Sequence, residues 1–319
     1  MKHQGIKIRT VFMGTSEFAA AILTSLAEEK YNLISVYTQP DKKSGRGQEM
    51  KKSAVKIIAE KNKITVFQPA KFNEDAVMEL KNQKPDLIIV AAYGKILPKE
   101  VLEIPGFGAI NVHASVLPKF RGPSPIQNAI LAGETETGTT IMLMDKGIDT
   151  GDILRERSLK IRPDETTPEL SQRLSALASK LLLETLPLWI ERKITPRKQN
   201  NHKATLCQLI EKEDGKIIWA DSAESIYDKF RAFQPWPGIY AFWESGNSIK
   251  RIRLNKIRLA ENFPGKHHLG EVFKSGQDIL IQADPGAIII KEIQIEGKSS
   301  VKIEDFLNGY SNFIGAILK

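Results

Sequence analysis

A chain of 319 residues, 41% hydrophobic and 26% charged, has the balance of a soluble globular protein and length enough for two domains. No apolar run approaches the roughly 20 residues that span a bilayer, and the first ten residues lack the apolar core of a signal peptide, so neither a membrane partner nor secretion is expected. The single cysteine, Cys207, excludes an internal disulfide and a multi-cysteine zinc site and fits a reducing cytoplasm, while a net charge of +8 favours an anionic partner such as nucleic acid.

Along the chain, residues 6–13 (IKIRTVFM) read as a buried strand ending at Gly14, with Ser16 placed to cap a helix carrying Phe18, Ile22 and Leu26 on one face. A second short apolar run covers residues 33–38. This β-turn-α-β opening predicts a parallel sheet with crossover helices. Its first turn, Gly14-Thr15-Ser16-Glu17-Phe18, lacks the G-x-G-x-x-G fingerprint, which argues against a nicotinamide oxidoreductase. Residues 39–56 hold six basic side chains, Lys42, Lys43, Arg46, Lys51, Lys52 and Lys56, against only Asp41 and Glu49. Residues 87–92 (LIIVAA) and 109–113 are further buried-strand patterns. Leu170, Leu174, Leu177, Leu181 and Leu182 give residues 166–189 a helical period.

The composition then changes. Residues 190–203 (IERKITPRKQNNHK) are polar and basic with few apolar anchors and read as a linker. Short alternating segments follow at 250–257, 270–273, 278–283 and 287–295, separated by turn residues as in a small β-barrel. A second basic run, Lys250, Arg251, Arg253, Lys256 and Arg258, lies among them. The expected division is therefore 1–190, a linker over 191–206, and 207–319.

Asn111 and His113 stand two apart on a predicted strand, so their side chains share a face near its carboxyl end, where open α/β sheets place their sites. An amide can donate to a developing oxyanion and an imidazole can move protons near neutral pH. A lone Asn-x-His is ordinarily structural, and so is a lone aspartate in an Asp- and Gly-rich turn. Asp149, in the loop of residues 144–152, adds a carboxylate that could orient and charge the imidazole.

Residues 111–122 (NVHASVLPKFRG) resemble the N-x-H-x-S-L-L-P-x-x-R-G signature of the 10-formyltetrahydrofolate-dependent formyltransferases. Residues 136–141 (ETGTTI) and 145–152 (DKGIDTGD) are similar to that family's E-T-G-x-T and D-x-G-x-D-T-G-D. Val116 replaces the usual Leu and Ala114 the common Gly. The opening V-F-M-G-T-S-E-F, the T-Q-P-D-K-K-S-G-R-G run over 38–47 and F-Q-P-W-P-G over 233–238 resemble the tRNA-acting branch; sugar-acting relatives generally lack the G-R-G loop.

The resemblance implies a Rossmann-like catalytic domain followed by an OB-like domain that helps to hold tRNA. It implies transfer of a formyl group from 10-formyltetrahydrofolate, with no metal, to the amine of methionyl initiator tRNA. Asn111, His113 and Asp149 would be catalytic. Ser115, Val116, Leu117 and Pro118 would lie against the folate, with the backbone of residues 93–97 lining its pteridine. Arg46, with Lys42 and Lys43, would meet the acceptor end of the tRNA. A monomer is expected. A sugar-nucleotide acceptor, and a tRNA-binding module without catalysis, are the competing readings; the intact Asn111, His113 and Asp149 argue against the latter.

Overall fold

Apolar on both faces, the run Thr10–Gly14 forms β1 near the middle of a seven-stranded sheet. The computed structural model describes residues 8–44, 49–246, 248–260, 263 and 267–319. The chain divides into two compact units. One runs to Ile126 and includes Glu136–Ile161 and Glu169–Leu209; the other holds Gln127–Thr135, Arg162–Pro168 and Ile210–Lys319.

After β1 come α1 (Glu17–Glu28), β2 (Leu33–Tyr37), a hairpin of β3 (Lys42–Ser44) and β4 (Glu49–Lys51), and α2 (Ala54–Lys61). The chain continues through β5 (Val66–Phe67), α3 (Glu74–Asn82), β6 (Leu87–Ala91), α4 (Lys99–Leu102), β7 (Ala109–His113), α5 (Pro125–Leu131), β8 (Glu136–Leu143), β9 (Ile153–Lys160) and α6 (Thr167–Ile190). The sheet order is β5-β2-β1-β6-β7-β8-β9. Pairing is parallel from β5 to β7; β8 runs antiparallel to both β7 and β9.

The physical reasons are local. Ser16 caps α1, accepting from the Ala19 N–H, as its position before an apolar helical stripe predicted. β6 is buried along its length, which a strand covered on both faces must be. β9, at the edge, alternates half-buried and exposed residues once past Leu154, so one face meets water. The predicted first strand began at residue 6, whereas β1 starts at Thr10, whose N–H reaches the Asn32 carbonyl; residues 6 and 7 lie outside the described ones. The basic stretch 39–56 carries the β3–β4 hairpin and the start of α2.

In the second unit α7 (Ala223–Ala232) precedes β10 (Ile239–Ser245), β11 (Ser248–Ala260), β12 (Val272–Ser275), β13 (Asp278–Gln282), β14 (Ala287–Ile295), β15 (Val301–Lys302) and α8 (Ile303–Gly309). The antiparallel order is β10-β11-β14-β13-β12, with β15 on β14. The two edges of this sheet are joined by the last residues of the chain. Phe242 of β10 exchanges two backbone bonds with Lys319, at 2.7 and 2.8 Å, and Val272 of β12 donates to Ala316 at 2.9 Å. That closure ties both edges at these positions and gives the OB-like barrel. A register shift between Leu254 and Lys256 lets the long β11 bend. Trp243 anchors the core, edge-on to Phe313 and Tyr310. The Phe233–Gly238 motif is a turn: Arg253 donates to the Pro235 carbonyl at 2.8 Å, and Gly238, at φ +75°, leaves room for that guanidinium.

Candidate active site

β7 delivers Asn111 and His113 to one face of the sheet, opposite Met142 and Thr140 of β8. The loop after β8 brings Asp149 back to them. Asp149 has φ +53°, a left-handed conformation that a short polar side chain tolerates better than most. Its Oδ1 accepts from Asn111 Nδ2 at 3.0 Å and its Oδ2 from the Gly122 N–H at 2.9 Å. The same Oδ2 faces His113 Nδ1 at 3.5 Å. His113 Nε2 lies 2.9 Å from the Phe120 carbonyl, which can only accept, so Nε2 carries the proton. With Nε2 committed as donor, Nδ1 offers a proton to Asp149 only in the imidazolium form, whose charge the carboxylate balances. Both groups are largely withdrawn from water, with side-chain exposures of 6% for His113 and 14% for Asp149.

The turn beyond β7 is pinned by two threonines of β8. Thr139 Oγ1 donates to the His113 carbonyl at 2.9 Å. Thr140 Oγ1 donates to the Ser115 carbonyl at 2.7 Å and accepts from the Leu117 N–H at 3.0 Å. Gly138 sits so close that a Cβ there would come within 2.7 Å of Val116 Cγ2. Ser115 spends its hydroxyl on the Lys119 carbonyl at 2.6 Å, and Leu117 packs with Met142 and Ile153. Of the four residues expected against a folate, Ser115 and Leu117 are therefore buried, while Val116 and Pro118 remain half-buried.

The adjacent loop, after β6, is also tied down. Gln39 Nε2 donates to the Tyr93 and Gly94 carbonyls at 3.0 and 3.2 Å, and Thr15 Oγ1 to the Tyr93 carbonyl at 2.9 Å. Burial pushes the Tyr93 phenol up to about 12. Burial, with Lys42 nearby, holds the Lys95 ammonium below the usual lysine range; it donates to the Pro69 and Ala70 carbonyls. Beside it Ile96 stands 88% exposed, an apolar side chain open at the carboxyl ends of the strands. Lys42 is exposed and donates to Gln39 Oε1 at 2.9 Å; the Lys43 side chain and Arg46 lie outside the described residues.

Sequence reasoning missed the partners that hold this cluster: Gly122, Phe120, Thr139, Thr140 and the segment read as a linker. That segment is laid against the site loop. Arg197 and Ile153 exchange two backbone bonds at 2.8 and 2.9 Å. Thr205 accepts the Arg121 N–H on its carbonyl and the Phe120 N–H on its hydroxyl. The Cys207 N–H donates to the Arg121 carbonyl at 2.8 Å, and burial pushes the Cys207 thiol up. Polar composition hid these contacts, because they run through backbone groups and a hydroxyl rather than apolar anchors. Among the described residues no group of three His, Cys, Asp or Glu is placed to hold a metal ion, and no helix is long and apolar enough to cross a membrane.

A mostly parallel sheet with amide, imidazole and carboxylate beyond one strand end, followed in sequence by a closed antiparallel sheet, defines a Rossmann-like transferase with an appended barrel. The family described as Formyl transferase matches residues 7–186, and Formyl transferase, C-terminal domain, matches residues 209–311. Methionyl-tRNA formyltransferase from Caldanaerobacter subterraneus is 44% identical over 314 residues, covering 98% of this chain and 100% of that protein. The enzyme of the same name from Citrifermentans bemidjiense is 41% identical over 313 residues, covering 98% and 96%. Among solved structures, an N-formyltransferase from Helicobacter canadensis, in complex with folinic acid and dTDP-3-aminofucose, superposes with TM-score 0.65 at 21% identity over 89% of this chain and 98% of that one. HypX from Aquifex aeolicus in complex with tetrahydrofolic acid gives TM-score 0.65 at 19% identity over 97% and 48%. These two likenesses establish the fold. The chain belongs to the formyl transferase family, and within it to the methionyl-tRNA formyltransferases.

Proposed function

We propose that Asn111, His113 and Asp149 carry the transfer of a formyl group from 10-formyltetrahydrofolate to the free amine of methionyl initiator tRNA, giving N-formylmethionyl-tRNA for translation initiation. The observation that carries this reading is the Asp149 carboxylate, which receives Asn111 on one oxygen and Gly122 on the other while facing His113. A charged tRNA as acceptor puts the reaction in the cytoplasm. Relatives that share 41–44% of this sequence over nearly its whole length carry the tRNA enzyme's name, while the sugar-acting structure shares 21%. That ratio favours tRNA over a sugar nucleotide.

In the reaction the amine nitrogen bonds to the formyl carbon, the bond from that carbon to N10 breaks, and one proton passes from the amine to N10. Asn111 gives one N–H to Asp149, which fixes the amide plane, and directs the other at the oxygen that gains charge. His113, held by Asp149, moves the proton at Nε2: the departing nitrogen replaces the Phe120 carbonyl as its partner, and the attacking amine returns the proton. Asp149 holds the ring in the orientation this needs, as the carboxylate of a triad does. No covalent enzyme intermediate is required, because a neutral amine is itself a nucleophile.

The residues fit a folate donor. Exposed Ile96 and the backbone of residues 93–97 offer an apolar and hydrogen-bonding wall for a pteridine, next to the turn of Ser115, Val116, Leu117 and Pro118 on the neighbouring strand. Lys42, Lys43 and Arg46 supply the positive charge that a tRNA acceptor end requires. The test is one assay with purified protein and 10-formyltetrahydrofolate, offering charged initiator tRNA beside an amino-sugar nucleotide. Formylation of the tRNA is expected; formylation of the sugar alone overturns the reading.

A further inference from the structure

We infer that Gln199 is a positioning residue for formyl transfer, an amide clamp that sets the Asp149 carboxylate against His113 and Asn111. The inference rests on the catalytic reading of those three residues. Gln199 belongs to the polar stretch whose composition suggested only a connector, yet it makes four side-chain hydrogen bonds at the rear of the site. Its Nε2 donates to the Asp149 carbonyl at 2.9 Å and to the Gly151 carbonyl at 2.8 Å. Its Oε1 accepts from Arg121 Nε at 3.0 Å and Nη2 at 2.7 Å. Arg121 is 6% exposed, and its Nη2 is shared with Asn201 Oδ1 at 2.8 Å.

The geometry explains why an amide stands here. Two carbonyls and a guanidinium converge on one point, and only a side chain with donors on one atom and an acceptor on the other satisfies all three. Glutamate would keep the Arg121 pair but set its second oxygen against two carbonyls. Methionine would fill the space and satisfy neither side.

The clamp joins the two segments on which the Asp149 carboxylate depends. On one side is the left-handed backbone of Asp149, which fixes where its side chain leaves the chain. On the other is Arg121, next to Gly122, whose N–H binds Asp149 Oδ2. Gln199 is itself seated by the backbone pair between Arg197 and Ile153. Releasing it frees the 149–151 peptides to turn, and the carboxylate leaves His113 without any catalytic group being removed. Misplacement of a catalytic group by about 1 Å is enough to cost on the order of 10²-fold in rate.

The experiment compares Gln199→Met, Gln199→Glu, Asn201→Ala and His113→Ala with wild type. Single-turnover rate, KM for 10-formyltetrahydrofolate and charged initiator tRNA, and thermal midpoint are measured for each. Both Gln199 variants are expected to lose about tenfold or more in rate, with both KM values within about twofold and folding retained; Asn201→Ala, which leaves both Nε2 bonds intact, is expected to stay near wild type. Gln199→Glu separates the roles, because it preserves the acceptor for Arg121: a wild-type rate there means that the Asp149 side is not clamped, and the inference falls. It falls equally if the rates hold and only KM or stability changes. A wild-type rate in His113→Ala overturns the catalytic reading itself, whereas an inactive His113→Ala beside fully active Gln199 variants overturns the clamp alone.

Discussion

The backbone N–H of Gly122 donates to Oδ2 of Asp149 across 2.9 Å, although 27 positions separate the two residues. Through this bond the signature that follows β7 and the loop that follows β8 become one site. Both carboxylate oxygens are engaged there: one serves Asn111, and the other serves Gly122 while facing His113.

Asp149→Asn tests that count. An amide supplies one oxygen where two are needed and turns N–H donors toward Asn111 or Gly122. Single-turnover rates are expected to fall by about 10²-fold or more with the fold intact. Full activity in a folded variant would refute the role.

His113→Ala and Asn111→Ala should each cut turnover by roughly 10²-fold or more, as expected for loss of a proton donor or an oxyanion donor. Folate affinity, measured by fluorescence quenching, should stay close to wild type, since neither residue belongs to the 115–118 turn. Near-normal turnover in either folded variant contradicts the assignment.

Gly122→Ala should damage stability and activity together. Gly122 has φ +118°, and a Cβ there would overlap the Cys207 carbonyl. Strain of this kind costs about 1–3 kcal/mol, and relieving it moves the N–H away from Asp149. Denaturant titration and turnover are the two readouts; a variant with wild-type midpoint and rate shows that the close approach is not needed.

Arg46→Ala addresses the tRNA. The 39–56 stretch has six basic and two acidic residues, and phosphate contacts release counterions. Binding of charged initiator tRNA should weaken steeply with salt, and the variant should flatten that slope by about one unit at most. Folate affinity should not change. If wild type fails to bind tRNA at low salt, the acceptor is wrong.

Cys207 offers a pH test. Burial raises its thiol above the ordinary cysteine range, so the folded protein keeps the proton where the unfolded chain gives it up. The stability tied to this thiol is complete below the ordinary thiol range, about 8.5, and is lost as pH rises above it. Iodoacetamide at pH 8 should label Cys207 slowly in the native protein and quickly in denaturant; rapid native labelling would contradict the burial.

The sequence by itself determined the elements whose signal is local. The apolar runs of β6 and β7 needed only their own residues, and so did the Ser16 cap, the leucine period of α6 and β14, because burial on two faces or on one stripe is written in consecutive side chains. The Asn111–His113 pair was legible for the same reason: strand geometry puts alternate residues on one face. The β3–β4 hairpin was missed, since three-residue strands of charged residues carry no hydrophobic alternation. Tertiary structure alone decided what holds the site. Gly122, Phe120, Thr140 and Gln199 act through backbone groups, a side-chain hydroxyl and a side-chain amide across separations of up to 78 positions, and the barrel closes through Lys319 on Phe242. Hydrogen bonds between polar groups that could equally face water leave no periodic trace in a sequence; they exist only once the fold has excluded that water.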